Sequence, residues 1–468
     1  MAFVLALAAF AAASTCTTPQ FPARTTPANA ASHCTTQNLR PQRPNSLSQR
    51  PATALLLRGG SAAAPSASLL ATTASLVKTI MGIGVLTLAG GMAAGTGAVP
   101  ATVVQTLITA ASAYSFALLG KTCAITGLDD ACTFEGLWRA TLGARTAWLV
   151  DAAIAALTFA ISAVYLLCLG SLLPPVLAAL RAPPALAART PAVLLAFAAV
   201  YPLCALRSLD RLAFSSYLGV AAILYTAAFS VWRALDGSYA SGGALHRPPP
   251  PAAAEVGAWT VTPNTLVLVA NLGVALCAHF SAPQFYRALA GATPSRFAAM
   301  AYAAFGAVLA LSLAIMFAGH ATFGGAAAPL VLDSYHPTAD AGATAARVAT
   351  VASLGCSFPL IFSALREAAL SLGGAGVAPG TAAWWAATLA LPPLALAVAL
   401  ASENLGLVVG VLGSLLGGAI IYVAPAAMHL ASSGGGGGGR LADVALVVYG
   451  VAQMTVGTAV SVRHATRS

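Results

Sequence analysis

Apolar residues along this chain show neither the alternation of a half-buried strand nor the one-sided stripe of a soluble amphipathic helix. They come in runs of roughly twenty residues, the length a helix needs to cross about 30 Å of hydrocarbon. Eleven such runs follow residue 67: 68–91, 98–120, 147–171, 190–206, 213–233, 263–288, 296–319, 346–370, 382–402, 404–430 and 441–461. The fourth is short, and the ninth and tenth are parted by Ser402, Glu403 and Asn404. Pro248 to Pro251 and the glycine run Gly434 to Gly439 are loops. The glycine run is not followed by Lys and Ser/Thr, so it is a flexible linker and not a phosphate cradle. The pattern predicts an all-α integral membrane protein.

Two of the runs are interrupted. The first, SLVKTIMGIGVLTLAGG, carries Gly82, Ile83 and Gly84 in mid-membrane. Glycine costs about 1 kcal/mol in a helix interior, and two together invite an unwound turn. The sixth, NLGVALCAHFSAPQFYRAL, carries Gly273, His279, Ser281 and Pro283 near its middle. If two five-helix halves repeat, runs one and six occupy corresponding positions, and paired interruptions there point to a transporter's midplane site. Freed N–H groups at a half-helix N-terminus suit a carboxylate, and freed carbonyls suit an amine or cation. Close packing of small residues between helices is the plainer alternative.

Lys78 is the sharpest single residue. With the first span starting near Ser68, it lies roughly 15 Å deep, where a lysine costs on the order of 3 kcal/mol and points to function. A helix starting at Thr79 would instead let Lys78 snorkel to the interface, but it would run to Val99 and leave almost no loop before Pro100. Gly90, Gly91, Gly95 and Gly97 mark the turn better. His279 reads as a packed or hydrogen-bonded side chain, Arg366 and Glu367 as an interfacial pair, and Asp151 as reaching toward Arg145. Tyr165 either lines a cavity or anchors at the interface.

Composition sharpens the solvent. At 59% hydrophobic and 7% charged, with 12 acids and 22 bases in 468 residues, the chain cannot clothe a soluble core. With mean hydropathy +0.83, a water-soluble enzyme, a nucleic-acid binder and a disordered chain are excluded. The net charge of +10 comes from bases scattered between apolar runs, which orient helices and do not build a basic nucleic-acid face. Loops after even runs hold nine bases: Lys121, Arg139, Arg145, Arg207, Arg211, Arg287, Arg296, Arg366 and Arg440. Loops after odd runs hold Arg181, Arg189, Arg233, Arg247 and Arg347, and the tail adds Arg463 and Arg467, so a cytoplasmic N-terminus is favoured. The eight cysteines contain no C-x-x-C, and Cys123 and Cys132 are the nearest pair. Cys168, Cys204, Cys277 and Cys356 lie in apolar runs as small hydrophobes. No metal, cofactor or catalytic residue is expected.

Residues 1–67 differ from the rest, giving an N-terminal leader, a transmembrane domain at 68–461 and a tail at 462–468. Phe3 to Ala13 is too short to span a bilayer but suits a signal-peptide core, with small residues at Ala9, Ala11 and Ala13. No base precedes that core. Ser14 to Arg58 is rich in Ser, Thr, Pro and Gln, and no acid occurs before Asp129. Such a leader fits either a two-part presequence of a plastid or other organelle, or a disordered cytoplasmic tail.

LVKTIMGIGVLTLAGGMAAGTG resembles the opening helix of the amino acid/auxin permease family. TFEGLWRATLG (133–143) is similar to its amphipathic segment, ISAVYLLCLG (161–170) to helix three, and FGGAAAPLVLDSY (323–335) to the loop after helix seven. NLGVALCAHFSAPQFYRAL resembles helix six, CSFPLIFSALREAALSL (356–372) helix eight, and ENLGLVVGVLGSLLGGAIIYVAPAAMHL (403–430) helix ten. The resemblance runs in order over about 68–430. It implies a leucine-transporter-type fold with a five-plus-five inverted repeat, helices one and six broken, and one further helix. It implies secondary active transport of amino acids or related small zwitterions across a lipid bilayer.

On that resemblance, backbone at Gly82, Ile83 and Gly84 meets the substrate carboxylate, Tyr165 flanks it, and Cys277, Ala278 and His279 line the opposite wall. Sodium-coupled relatives carry asparagine where Lys78 stands and a hydroxyl where Ser357 stands. A fixed ammonium there would repel sodium and stand in for it, so Lys78 and Ser357 are the ion-coupling candidates. The expected transport is sodium-independent, by proton symport or exchange. An integral-membrane enzyme or a channel is the alternative, but the chain shows neither a catalytic constellation nor rings of like charge.

Overall fold

The computed structural model describes residues 67–127, 133–206, 215–246, 257–374, 378–402, 404–433 and 439–465. Leader residues 1–66, Asp129, Cys132, Arg207, Arg211, Arg247, Pro248–Pro251, Glu403, Gly434–Gly438 and Arg467 lie outside the described residues.

The first span begins where Ser68 caps it, its hydroxyl accepting the Ala71 N–H at 3.2 Å. Helix α1 (Leu69–Ile80) then stops at Met81 and Gly82. A 3-10 turn (Ile83–Thr87) and α2 (Leu88–Ala93) continue the span after a bend of 49°. Helix α3 (Ala98–Thr126) follows the glycine turn and ends at Gly127, whose φ of +60° suits glycine. The amphipathic segment is α4 (Phe134–Leu142), capped by Thr133. Next come α5 (Ala147–Ala179), the short α6 (Arg189–Val200) and α7 (Ser215–Asp236).

The second half repeats the plan. Helix α8 (Thr265–Ala275) ends in mid-span, and a 3-10 turn (His279–Ser281) leads into α9 (Ala282–Ala288), with Pro283 in its first turn where no N–H is needed. Then come α10 (Pro294–Phe323), the short α11 (Val331–Ser334), α12 (Ala341–Leu372) and α13 (Ala382–Ala401). The tenth span is α14 (Leu405–Leu412), a π-helical stretch (Gly413–Val423) and α15 (Ala424–Ser432). Helices α16 (Arg440–Ala452) and α17 (Thr458–Ala465) close the chain.

Among the described residues, nine helices are long and apolar enough to cross a membrane, and the bent first pair makes ten. The shorter Arg189–Ala205 stands in the fourth place. Lipid-facing positions such as Leu107, Leu389 and Leu394 stay exposed and apolar, as hydrocarbon requires.

The packing shows how the halves relate. The most extensive helix pairs are α5 with α12 and α3 with α10, that is, span three on eight and two on seven. The broken first span packs on the sixth through α2 and its 3-10 turn against α8. The first three spans thus lie on their counterparts in the second half, while α7 packs on α12 and α10. The π-helical stretch of the tenth span lies against α8, so closely that a Cβ on Gly413 would overlap the Ala270 carbonyl oxygen.

Three charges differ from their sequence reading. Asp151 accepts a hydrogen bond from Ser371 Oγ at 2.6 Å and does not reach for Arg145. Arg366 forms no pair with Glu367; it is buried, donates to the Cys204 carbonyl and Thr388 Oγ1, and lies 4.0 Å over the Trp384 ring. Arg347 is no loop charge but a buried residue of α12 whose guanidinium donates to the carbonyls of Leu332, Tyr335, His336 and Pro337. In each case burial forces the polar group to find a partner across the bundle. Removing Arg347 and Arg366 from the loop count takes one base from each side and leaves the orientation argument intact.

Candidate functional site: two broken helices

The site follows from where the backbone leaves its helical ladder. At the first break, Met81 N–H still reaches the Val77 carbonyl, and Gly82 N–H turns back to Ile80. The next 3-10 bond runs from Val85 N–H to the Gly82 carbonyl. The N–H groups of Ile83 and Gly84 therefore head the new turn ahead of its first internal bond, as at any helix N-terminus. At the second break, Leu276 N–H and Cys277 N–H close the end of α8, and Ser281 Oγ donates to the Ala278 carbonyl at 2.6 Å.

The two breaks touch. A Cβ on Gly84 would stand 2.6 Å from Ala275 Cα, a separation no larger residue tolerates, so glycine lets the first break lie directly on the end of α8. Asn271 Nδ2 donates to the Thr87 carbonyl at 3.0 Å and ties the same two segments one turn away. Gly82 keeps some open surface, and its missing Cβ would lie 3.9 Å from the Tyr165 hydroxyl of α5. Gly82, Ile83, Gly84 and Tyr165 thus come together, with Ala275 as the facing wall.

The second break is held differently. Cys277 is half-buried and Ala278 fully buried. The His279 ring turns onto α3: its Nε2 lies 3.0 Å from the Ser112 carbonyl and 2.9 Å from Ser115 Oγ, and it packs on Phe116 and Phe305. A carbonyl only accepts, so Nε2 carries the proton and Nδ1, buried without a partner among the described residues, does not. The ring anchors the break to the second span.

Lys78 occupies the last turn of α1, where carbonyls without helical partners favour a cation. Its Cε and Ser353 Oγ would flank a Cβ on Gly219 at 3.3 and 3.2 Å, which places the side chain between α7 and α12. Ser353, Cys356 and Ser357 share one face of α12 by their spacing of three and four, so Ser357 lies on the stripe that meets Lys78. No salt bridge to Lys78 forms among the described residues. Gly219 and Ser353 escaped sequence reading, and Cys356 reads there only as a small hydrophobe; helical spacing from Ser357 points toward Ser353 but not toward Gly219 on another helix. Among the described residues no cluster of three metal-ligating side chains occurs. An apolar cleft lined by Phe134, Trp138, Val150 and Ile420 involves none of these residues.

An all-helical bundle with two facing mid-membrane breaks and paired halves is the architecture of leucine-transporter-type secondary transporters. Two solved transporters share it. The crystal structure of MhsT in complex with L-phenylalanine is 13% identical with TM-score 0.55, covering 86% of this chain and 99% of that one. Mhp1, a nucleobase-cation-symport-1 family transporter in a closed conformation with bromovinylhydantoin bound, is 14% identical with TM-score 0.54, covering 88% and 95%. The chain belongs to the transmembrane amino acid transporter protein family, whose match spans residues 65–463. It is a multi-pass integral membrane protein that carries amino acids by secondary transport, and not an enzyme. No curated protein matches the chain.

Proposed function

We propose that the substrate amino acid binds between the two breaks and that its transport is independent of sodium, by proton symport or exchange. The N–H groups of Ile83 and Gly84 are free to take the carboxylate, because they precede the first bond of their turn. The Tyr165 hydroxyl, beside Gly82, adds a donor on the α5 side. Cys277, half-buried in the facing break, borders the same space, while Ala278 and His279 hold that break in place.

The observation that carries the coupling reading is the position of Lys78. Its side chain leaves the C-terminal end of a half-helix with Cε beside Ser353, on the face of α12 that carries Cys356 and Ser357 by helical spacing. Half-helix C-terminal ends and helix hydroxyls are the groups that hold a coupling cation in this architecture. A tethered cation already there supplies the charge that sodium would otherwise bring and repels a second one.

Uptake of labelled amino acids into proteoliposomes, with and without sodium and at two pH values, tests this. Saturable uptake unaffected by sodium is expected, with Lys78→Asn gaining sodium stimulation. Strong sodium dependence in the unmodified protein refutes it, and conductance without saturation would indicate a channel.

A further inference from the structure

Outside the two breaks, three spans meet at one buried carboxylate. Asp443, in the first turn of α16, is 1% exposed. Its Oδ2 lies 2.7 Å from His429 Nδ1 of α15, and its Oδ1 accepts from the Tyr114 hydroxyl of α3 at 3.0 Å. Spans two, ten and eleven are thus tied at a single side chain. A Cβ on Gly439 would come within 3.8 Å of the same Tyr114 hydroxyl, so the start of the eleventh span folds over the cluster. His429 stands three residues before the end of α15 and Asp443 three after the start of α16, roughly 5 Å inside the helix ends. These ends flank the loop after an even span, which the charge count places on the cytoplasmic side. The His429 side chain keeps 14% of its surface and that of Asp443 2%, so the ring is the part that water reaches.

A carboxylate taken out of water needs a positive partner. Among the described residues, His429 is the only ion-pair partner of Asp443. Lys121 of α3 is exposed, its ammonium 5.9 Å from the Tyr114 ring centroid, and Arg440 at the start of α16 is exposed as well. From α4, Glu135 and Arg139 pair with each other. The π-helical stretch of the tenth span brings only Tyr422, held by Ser112 at 2.9 Å, with Tyr449 of α16 edge-on to its ring. Tyr302 of α10 is exposed, and α15 holds no titratable group besides His429. The charge of the cluster is therefore set by the proton on His429. With it, Asp443 has a salt bridge and a hydroxyl. Without it, the ring still donates from Nδ1, but a net negative charge stays buried among three helices.

We propose that His429 and Asp443 form a proton-binding site at the cytoplasmic face, and that the bound proton clamps the end of the tenth span to the second and eleventh. The proton goes to His429 Nε2, because Nδ1 already donates to the carboxylate. The ion pair exists only while the three helix ends lie together, so the proton favours the clamped arrangement and, by reciprocity, clamping favours the proton. The clamp is firm at low pH and loosens as pH rises. Span two also carries Ser112 and Ser115, which hold the second break through His279, so a loosened clamp reaches the substrate site along one helix. The cluster shares no residue with the substrate and coupling groups, and the inference stands whichever ion drives transport.

Thermal unfolding of the full-length chain in detergent and substrate counterflow in proteoliposomes test it, each at about pH 5.5 and about pH 8, which bracket the charge change of histidine. Counterflow with equal pH on both faces removes any proton driving force, so pH acts only through groups on the protein. The unmodified protein should melt at a lower temperature and lose counterflow several-fold at the higher pH. Asp443→Asn removes the buried charge and should show neither loss. His429→Gln leaves that charge without a cation and should melt low at both pH values, and adding Asp443→Asn to it should restore the melting temperature. A hydrogen bond with only a structural role would give no such rescue. Asp443→Asn keeping the full pH loss, His429→Gln melting like the unmodified protein at the lower pH, or the double variant melting no higher than His429→Gln overturns the proposal. None of these results bears on the site between the breaks or on sodium independence.

Discussion

The two broken helices reach similar geometry by opposite means. The first break is made by glycine: Gly82 and Gly84 let the chain leave its ladder, Asn271 ties only the far end of the turn through the Thr87 carbonyl, and Gly84 rests on Ala275 backbone. The second is clamped by side chains: the His279 ring bonds to Ser112 and Ser115, is packed among Phe116 and Phe305, and Ser281 closes its own turn. A carrier needs elements that move and elements against which they move. The contrast assigns the moving part to the first span, where few polar bonds must break, and the fixed part to the sixth, held by a polar and aromatic cluster inside the bundle.

Four substitutions probe this difference. Gly84→Val should have the largest effect, because its Cβ would enter Ala275 backbone; displacement of the site by about an ångström costs around a hundredfold in uptake rate. His279→Ala should act on stability first, lowering thermal stability in detergent by about 3 kcal/mol through a lost ring and its lost hydrogen bond to the Ser112 carbonyl. The folded fraction should keep its apparent affinity for substrate, and a large rise in KM without loss of stability would move His279 from anchor to binding residue. Tyr165→Phe removes only the hydroxyl beside Gly82 and should raise KM by roughly tenfold, near 1.4 kcal/mol, with expression unchanged. Gly82→Ala should be mildest, a few-fold rise in KM, since its Cβ would meet nothing nearer than the Tyr165 hydroxyl at 3.9 Å.

Much of the architecture is legible because lipid imposes simple rules. The apolar runs at 263–288 and 382–402 match Thr265–Ala288 and Ala382–Ala401 within a residue or two, since a span must be long, apolar and internally bonded. Both breaks are visible because glycine and proline act locally on the backbone. What stayed hidden depends on partners far away in sequence. Arg347 reads as a loop base and Arg366 as half of an interfacial pair, yet one holds the carbonyls of Leu332 and Tyr335 and the other lies over Trp384. The surroundings of Lys78 come from α7 and α12, and only the folded bundle brings Gly219 and Ser353 to it. The π-helical stretch of the tenth span accompanies the close approach of Gly413 to Ala270, which periodicity does not encode.

The most direct test is substrate protection at the first break. In a background with the native cysteines replaced, Gly82→Cys is labelled with a small thiol reagent, with and without saturating amino acid substrate, beside Leu107→Cys as a lipid-facing control. Substrate should slow labelling at position 82 and leave position 107 unchanged. Equal labelling at position 82 with and without a substrate that the same variant transports would contradict a binding site between the two breaks.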